Sequence, residues 1–208
     1  MTPRGVTIDA AELDALTELF NVGLHRAAAS LSEVTGQRIH VEMPKLWVYE
    51  ISEIETRLRD LMNGELATVR QGFGGAVAGD AVLLIEQDKA AMLTQLMTSG
   101  EAAIGGRLDQ SAREVLSEVG NIVLGACLSG FGDMLQTPVS FSVPRLNIES
   151  LGSLLQSLSN NSAEVQYAVI CATRFGLSEL EVDGYLIVAV GAASLARMLD
   201  GLTGPAGP

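Results

Sequence analysis

The sequence predicts an α/β (α+β) protein in which a sheet packs against helices and one unit is duplicated about a pseudo-two-fold axis. Three observations support this prediction. A Glu-x-x-Asn pattern occurs twice, one hundred residues apart; the residues around both copies match; and each half follows a long helical pattern with short strand-like runs. We expect one domain, 1–208, made of pseudo-repeats at about 9–99 and 108–203, each in the order helix, strand, helix, strand, strand, helix.

The repeat is visible at single positions. Glu18 and Asn21 stand in register with Glu118 and Asn121. The neighbouring matches are Leu16 with Leu116, Val22 with Ile122, Leu24 with Leu124, and Met43-Pro44-Lys45-Leu46 with Val143-Pro144-Arg145-Leu146. A unit of this length that occurs only twice is not a solenoid repeat, so the two halves should form one compact body.

The first unit opens with a long helix predicted from Ala10 to about Thr35. Asp9 is a candidate N-cap with Glu12 three residues later, which is a capping-box pattern, and Gly36 can end the helix. The other predicted elements of this unit are a strand at 38–46, a short helix at 51–62, strands at 66–73 and 77–86, and a helix at 89–98. A linker rich in small residues is predicted at 99–107.

The second unit repeats this order after the linker. Its predicted elements are a helix at 109–130, a strand at 137–145, a helix at 148–158, strands at 163–174 and 183–190, and a helix at 192–202. Cys127 and Cys171 lie in apolar surroundings without a CxxC spacing. They are therefore predicted to be buried free thiols, which fits a reducing compartment.

Composition narrows the class of protein. The chain has 208 residues, of which 48% are hydrophobic and 18% charged, and this composition indicates a globular protein with a sizeable core. The N-terminal segment has no signal-peptide pattern, and no apolar run approaches the roughly 18 residues of a membrane span. We expect a soluble, cytoplasmic protein without membrane insertion. A net charge of −12, with 13 scattered basic residues, argues against a nucleic-acid partner.

The Glu-x-x-Asn pairs lie on polar stripes of the two long helices. At 100° per residue, one side of the first helix carries the stripe Asp14, Glu18, Asn21 and His25. The equivalent stripe on the second helix is Glu114, Glu118, Asn121 and Gly125. Both stripes are predicted to face solvent, and the broader apolar surface of the second helix predicts that it is the more buried one.

An acid and an amide one helical turn apart suit a particular chemistry. Asparagine offers both an acceptor and a donor that can orient a water molecule, and glutamate can pair with a cation on a docked partner. With only His25 and His40 in the chain, no nucleophile–histidine arrangement is indicated. A single Glu-x-x-Asn is usually just a solvated helix face, but two copies inside a diverged repeat favour a functional role.

The segments that contain the two pairs read LDALTELFNVGL at 13–24 and EVLSEVGNIVLG at 114–125. They resemble the doubled D/S-xxx-E-xx-N signature of the CheC family of chemotaxis phosphatases, which are relatives of CheX and FliY. The resemblance implies a CheC-like fold and hydrolysis of the phospho-aspartate on a CheY-type response regulator. It implies that Glu18 and Glu118 form salt bridges with the regulator's active-site lysine, while Asn21 and Asn121 orient the attacking water.

The resemblance also assigns the flanking residues. Asp14 occupies the first position of the signature, whereas Glu114 stands where the family has Asp or Ser. His25 lies on the stripe, so it is either a contact to a docked regulator or an ordinary surface histidine. The Mg²⁺ of the reaction belongs to the regulator, and no cofactor of the chain's own is expected.

Two alternatives come from other functional classes. One is a non-catalytic binding module similar to the middle domain of the flagellar-switch protein FliM, which shares the fold but lacks the Glu/Asn pairs. The other is an adaptor for the receptor deamidase CheD, to which the resemblance assigns a binding region near the helix at 148–158. The presence of both pairs favours the phosphatase.

Overall fold

A computed structural model describes residues 8–59, 62, 64–98, 108–161, 165–177 and 179–203. The first half contains α1 (Ala10–Thr35), β1 (Ile39–Val41), β2 (Lys45–Glu50), a 3-10 turn (Ile51–Glu53), α2 (Ile54–Leu58), β3 (Leu66–Gly74), β4 (Gly79–Glu86) and α3 (Gln87–Met97). The second half contains α4 (Gln110–Leu135), β5 (Ser140–Phe141), β6 (Arg145–Glu149), α5 (Leu151–Asn161), β7 (Tyr167–Leu177), β8 (Leu180–Val190) and α6 (Ala192–Thr203). The predicted linker at 99–107 lies outside the described residues.

The strands in the described part of the chain form one eight-stranded antiparallel sheet. Its order is β1-β7-β8-β4-β3-β5, with β2 also paired to β7 and β6 also paired to β3. The short strands are exchanged: β1 and β2 of the first half lie on β7 of the second, and β5 and β6 lie on β3 of the first. The predicted mixed fold of helices packed on a sheet is confirmed.

Each half has two short strands where the sequence predicted one. The predicted strands at 38–46 and 137–145 are interrupted just before β2 and β6, at Pro44 and Pro144. Proline lacks the N–H that a continuous ladder requires, so it is found at strand starts and bulges. The order of elements in each half is therefore helix, strand, strand, helix, strand, strand, helix.

The interruption has the register of a β-bulge. Val41 pairs with Phe175 and Lys45 pairs with Ala172, so three residues of the first strand face two of β7. The second half repeats this register, with Phe141 opposite Phe73 and Arg145 opposite Arg70. An extra residue on one strand leaves local backbone groups out of the ladder and redirects the chain. Both halves thus carry a bulge at the same place.

Helix ends differ from prediction where packing overrides local signals. The first helix has the predicted bounds, and Gly36 ends it with a φ of 65°. α4 continues five residues beyond the predicted end at 130, because Phe131 is fully packed in the core. The helix predicted at 51–62 is shorter in the structure, and its residues 60 and 61 lie outside the described part. β7 begins at Tyr167, while 163 and 164 of the predicted strand are outside it.

Two apolar clusters sandwich the sheet. The larger one contains buried residues of α1, α3, α4 and α6, and the smaller one contains those of α2 and α5. Side chains alternate between them along β4, where Leu83 faces the larger cluster and Leu84 the smaller. α4 is long and apolar enough by composition to cross a membrane, but its buried side chains belong to the larger cluster, as in a core helix.

The two long helices pack closely and run antiparallel. Phe20 meets Phe131 edge-on with ring centroids 5.9 Å apart. Three residues further along α1, Gly23 faces Cys127, and a Cβ added there would lie 2.7 Å from the Cys127 Cα. Glycine at this position lets the backbones approach. Cys127 and Cys171 are both buried and free, as predicted.

Candidate active site

The long helices that carry the predicted site residues begin at matched caps. The Asp9 carboxylate accepts a hydrogen bond from the Glu12 backbone N–H, and the Glu12 carboxylate accepts one from the Asp9 N–H, both at 2.8 Å. In α4, the Asp109 carboxylate accepts from the Ala112 N–H at 2.8 Å. These bonds satisfy donors that the first turn of a helix leaves unpaired. Both helices therefore start in the same register relative to their Glu/Asn pairs.

The polar stripes lie on the solvent side of their helices. Their exposed members are Asp14, Glu18 and His25 on α1 and Glu114 and Glu118 on α4. Asn21 and Asn121 are only partly exposed. In each pair, then, the carboxylate stands in water while the amide lies at the edge of the core. Glu114 accepts a hydrogen bond from the Gln110 amide at 3.2 Å, so it is tied to its own helix.

The first pair is joined internally. The Asn21 Nδ2 donates to the Glu18 Oε2 at 3.3 Å. The Asn21 Oδ1 is buried and has no hydrogen-bond partner among the described residues. The His25 Nδ1 donates to the Asn21 backbone carbonyl at 2.8 Å, which places this ring one turn beyond the pair. The amide of the first site is therefore held by the carboxylate beside it.

The second pair is held from the sheet. The Asn121 Oδ1 accepts a hydrogen bond from the Gln71 Nε2 at 3.1 Å. The same Nε2 donates to the Ser142 backbone carbonyl at 2.9 Å. Gln71 lies on β3 and is only 3% exposed. The amide of Asn121 is thus bound by a buried side chain from a different element, whereas that of Asn21 is bound by its helical neighbour.

Residues 20 and 120 account for this difference in part. A Cβ at Gly120 would overlap the side chain of Val69 on β3, so only glycine lets α4 lie this close to the strand. The matching residue of α1 is Phe20, which is fully buried and fills space against Phe131. The close approach at Gly120 brings the next residue, Asn121, within reach of β3.

The two pairs form separate sites. Because α1 and α4 are antiparallel and Phe20 lies beside Phe131, Asn21 is level with a point on α4 about nine residues beyond Asn121. At 1.5 Å per residue, this corresponds to about 13 Å along the helix axis. A group of a partner protein that lies against one Glu/Asn pair therefore does not reach the other pair.

Glu18 also borders an open groove between α1, α4 and α6. The groove has a volume of about 500 Å³. Its apolar walls include Leu19, Val22 and Met134, and its charged rim includes Glu18 and Arg26. The first pair thus stands beside a concave surface.

Sequence reasoning missed Gln71. It was part of a strand predicted at 66–73 and carried no functional assignment. The available signal was a long polar side chain within the run Thr68-Val69-Arg70-Gln71-Gly72 of an otherwise buried strand. Its partners are 50 and 71 residues away in sequence. Asn121 becomes a neighbour because α4 packs on β3 at Gly120, and Ser142 because β5 and β6 pair with β3.

Other reactive groups are poorly suited to catalysis. Within the described ranges, no three His, Cys, Asp or Glu side chains come together in a way that could hold a metal ion. Burial raises the pKa of the Cys171 thiol to about 12. Burial also raises the pKa of Cys127, and the nearby Cys171 adds to that shift. Both thiols remain protonated at neutral pH, and a protonated thiol is a weak nucleophile.

The glutamate and asparagine side chains of the two pairs are suited to positioning other groups. An exposed carboxylate can bind a cation presented by another molecule. A partly buried amide one turn away can hold a water molecule with a fixed orientation. Neither group forms a covalent bond to a substrate readily, so the reactive group must come with the partner.

Comparison with known proteins finds similarity to chemotaxis and flagellar proteins. No protein-family model matches it. It is 23% identical over 164 residues to CheC1 of Halobacterium salinarum, covering 78% of this chain and 82% of that protein. It is 22% identical over 168 residues to the CheY-P phosphatase CheC of Bacillus subtilis, covering 78% of each. It is also 23% identical to the flagellar motor switch phosphatase FliY of Bacillus subtilis, but the match spans only 35% of that longer protein.

Solved structures show the same fold. The crystal structure of Thermotoga maritima FliY matches with a TM-score of 0.77 at 18% identity, covering 95% of this chain and 98% of that one. The FliM middle domain from H. pylori matches with a TM-score of 0.64 at 8% identity, covering 93% of this chain and 99% of that one. At these identities the structural likeness concerns the fold alone.

Proposed function

We propose that this chain, a member of the CheC-like fold family, is a phosphatase that hydrolyses the phospho-aspartate of a CheY-type response regulator. The observation that carries the proposal is the repeated pairing of an exposed glutamate with a partly buried asparagine, on matched faces of α1 and α4. Sequence relatives named as CheY-P phosphatases support it, at 22% identity for CheC of Bacillus subtilis. The proposed place of action is the cytoplasm.

Docking is the proposed role of the carboxylates. Glu18 or Glu118 forms a salt bridge with the lysine of the regulator's active site, and this contact fixes the helix against the phosphorylated pocket. Both carboxylates are exposed, so neither has to leave a buried environment to form the pair. Asp14, His25 and Glu114 lie on the same stripes and are proposed to contact the regulator's surface around that lysine.

Positioning of water is the proposed role of the amides. Asn21 or Asn121 holds one water molecule in line with the bond to be broken. The water oxygen attacks phosphorus, the bond from phosphorus to the aspartyl oxygen breaks, and the aspartate leaves as a carboxylate. The water gives up its proton to the phosphate produced or to solvent. Phosphoryl transfer depends on alignment and charge stabilisation more than on a strong base. The regulator's own Mg²⁺ supplies much of that stabilisation.

The non-catalytic alternative rests on FliM-type neighbours, which share the fold. A binding module of this kind would need neither member of the Glu/Asn pairs, and both pairs are present here. CheD binding near α5 is a separate proposal. The apolar side of α5 is already buried against the sheet through Leu154, Leu155 and Leu158, so only its polar side is open to such a partner.

The test is loss of phosphate from a CheY-type regulator of the same organism, labelled with acetyl phosphate. The wild type should accelerate the loss, and Asn21→Ala, Asn121→Ala and the double variant should report each site. Removal of one preorganised polar group costs about 10²- to 10³-fold at its own site, so a loss of this size is expected in the double variant, while each single variant keeps the rate of the other site. Asn147→Ala, an exposed asparagine on β6, is the matched control and should behave as wild type.

The outcomes separate the two functions. Acceleration that disappears in the double variant while regulator binding persists supports water positioning by the asparagines. Binding without acceleration by the wild type, across all regulators of the organism, overturns the phosphatase and supports the binding module.

A further inference from the structure

We propose that Gln71 is a positioning residue, which fixes the amide of Asn121 with its Oδ1 toward the sheet and its Nδ2 toward the docked regulator. This inference rests on the proposed function and deepens it. It assigns the second site an amide held by the sheet and the first site an amide held by its own docking carboxylate.

The orientation of Gln71 follows from its backbone partner. A backbone carbonyl can only accept hydrogen bonds, so the contact with the Ser142 oxygen at 2.9 Å requires the NH₂ end of the Gln71 amide. That same NH₂ group lies 3.1 Å from the Asn121 side chain. Asn121 must therefore present its oxygen to Gln71, which leaves its own NH₂ group for another partner. The direction of both amides is set by one main-chain carbonyl.

The β5–β6 bulge holds that carbonyl in place. The Ser142 N–H donates to the Gly72 carbonyl at 2.9 Å. The Ser142 hydroxyl accepts from the Gly72 N–H, also at 2.9 Å. These two bonds tie Ser142 to Gly72, the residue that follows Gln71, so the carbonyl that orients Gln71 is held by the sheet before any partner docks.

The cost of burying Gln71 supports a specific role. The side chain is 3% exposed, and its Oε1 is buried without a hydrogen-bond partner among the described residues. Such an orphaned acceptor is uncommon in folded proteins, and those that occur concentrate at functional sites. Its NH₂ group links two elements that must stay in register, namely the β5–β6 bulge and α4.

The first half provides an internal comparison. Thr173 occupies the matching position on β7, and its hydroxyl donates to the Glu42 carbonyl of the equivalent bulge at 2.8 Å. The threonine side chain is too short to reach the long helix as Gln71 does. The amide of Asn21 is bound instead by Glu18 at 3.3 Å. The carboxylate that holds the Asn21 amide is thus the same one that docks the regulator's lysine, whereas the Gln71 contact leaves Glu118 unaffected.

The decisive variant is Gln71→Thr, because threonine can keep the bond to the Ser142 carbonyl, as Thr173 does on β7, but is too short for Asn121. It is measured in an Asn21→Ala background, which leaves only the second site active. We expect kcat to fall about tenfold, the factor that corresponds to one hydrogen bond of typical strength, with KM little changed. Thr173→Val, which removes the equivalent bulge bond of the first half, is the control and should leave this kcat unchanged.

Two further measurements distinguish positioning from a general structural effect. In an Asn21→Ala, Asn121→Ala background, Gln71→Thr should have no additional effect on the residual rate. A tenfold loss that persists without Asn121, or an equal loss in Thr173→Val, overturns the inference.

A readout without regulator keeps the inference separate from the proposed function. In the free protein, the Asn121 side-chain NH₂ should give an ordered NMR signal, and Gln71→Thr should make it mobile. An ordered wild-type signal that is lost in the variant supports positioning even if no regulator is dephosphorylated, which would sink only the phosphatase. An Asn121 amide that is equally mobile in both proteins overturns the positioning role.

Discussion

The two halves of the molecule share caps, bulges and Glu/Asn spacing, yet their asparagines are held by different neighbours. Asn21 is bound by Glu18 in its own helix, while Asn121 is bound by Gln71 from the sheet. The two Glu-x-x-Asn motifs are therefore the same in sequence, but their asparagines have different hydrogen-bond partners. The comparison teaches that the surroundings of a duplicated pair, and not the pair itself, decide whether its amide is oriented in advance.

The largest effect is expected at position 20, where the first half has a phenylalanine and the second half has a glycine, Gly120. Phe20→Ala removes a fully buried ring that contacts Phe131, and a cavity of this kind costs about 3–5 kcal/mol in the free energy of unfolding. Urea unfolding measures it. Phe141→Ala, at a phenylalanine that is 39% exposed, is the control and should cost less than about 1 kcal/mol. Equal losses in the two variants would mean that position 20 is not a packing anchor.

The matched position on α4 should respond to added volume. Gly120→Ala pushes the helix away from Val69, which we expect to cost about 1–3 kcal/mol of stability and to lower phosphatase activity of the second site, because Asn121 moves away from Gln71. Unfolding and activity are measured in the Asn21→Ala background. Gly152→Ala adds the same methyl group in open space on α5 and should change neither property. Normal activity in Gly120→Ala would show that the close approach is not needed.

Both buried thiols lie in the second half, so pH should distinguish the halves. Burial raises the folded-state pKa of Cys127 and Cys171, the latter to about 12. The unfolded chain releases these protons near its ordinary thiol pKa while the folded chain keeps them, so stability is complete below about pH 8.5 and falls as pH rises. We expect a loss of about 1 kcal/mol per thiol between pH 8 and 9.5.

The matching residues of the first half, Ala27 and Val69, provide the control for this pH effect. A Cys127→Ala, Cys171→Val variant should show a flatter dependence of the unfolding free energy on pH. A slope equal to that of wild type would assign the alkaline loss to other groups.

The smallest effect is expected at the helix ends. Gly36 and Gln136 follow α1 and α4 with φ values of 65° and 49°, and only glycine adopts this conformation without strain. Gln136→Gly should raise stability by about 0.5–1 kcal/mol, and Gly36→Ala should lower it by a similar amount. Thermal unfolding measures both. Shifts of the same sign would contradict the shared capping geometry.

Local chemistry made the first helix predictable. The capping box of Asp9 and Glu12 and the left-handed Gly36 are signals within a few residues of each end. The end of α4 was missed because Gly130 and Gly132 are tolerated inside the helix. Gly130 faces Leu19 of α1, so the glycine is explained by tertiary packing and not by a helix stop.

The site was predictable only in its helical part. The spacing of the Glu/Asn pairs and the amphipathic pattern placed both pairs on the solvent side of α1 and α4. The bulges could not be deduced, although the matched prolines were visible, because a bulge is defined by the partner strand. The contact from Gln71 to Asn121 depends on the packing of α4 on β3, and its orientation depends on the pairing of β3 with β5 and β6; no local pattern encodes which elements meet.

The exchange of short strands has a consequence for how such a chain can be assembled. One half alone would contain a long hairpin, β3–β4 or β7–β8, without the two short strands that pair with it, because those short strands belong to the other half. Two copies of a single ancestral unit could complete each other's sheets as a symmetric dimer. In the present chain both copies are covalently joined, and each is then free to diverge. One copy can refine its chemistry while the other maintains the shared architecture.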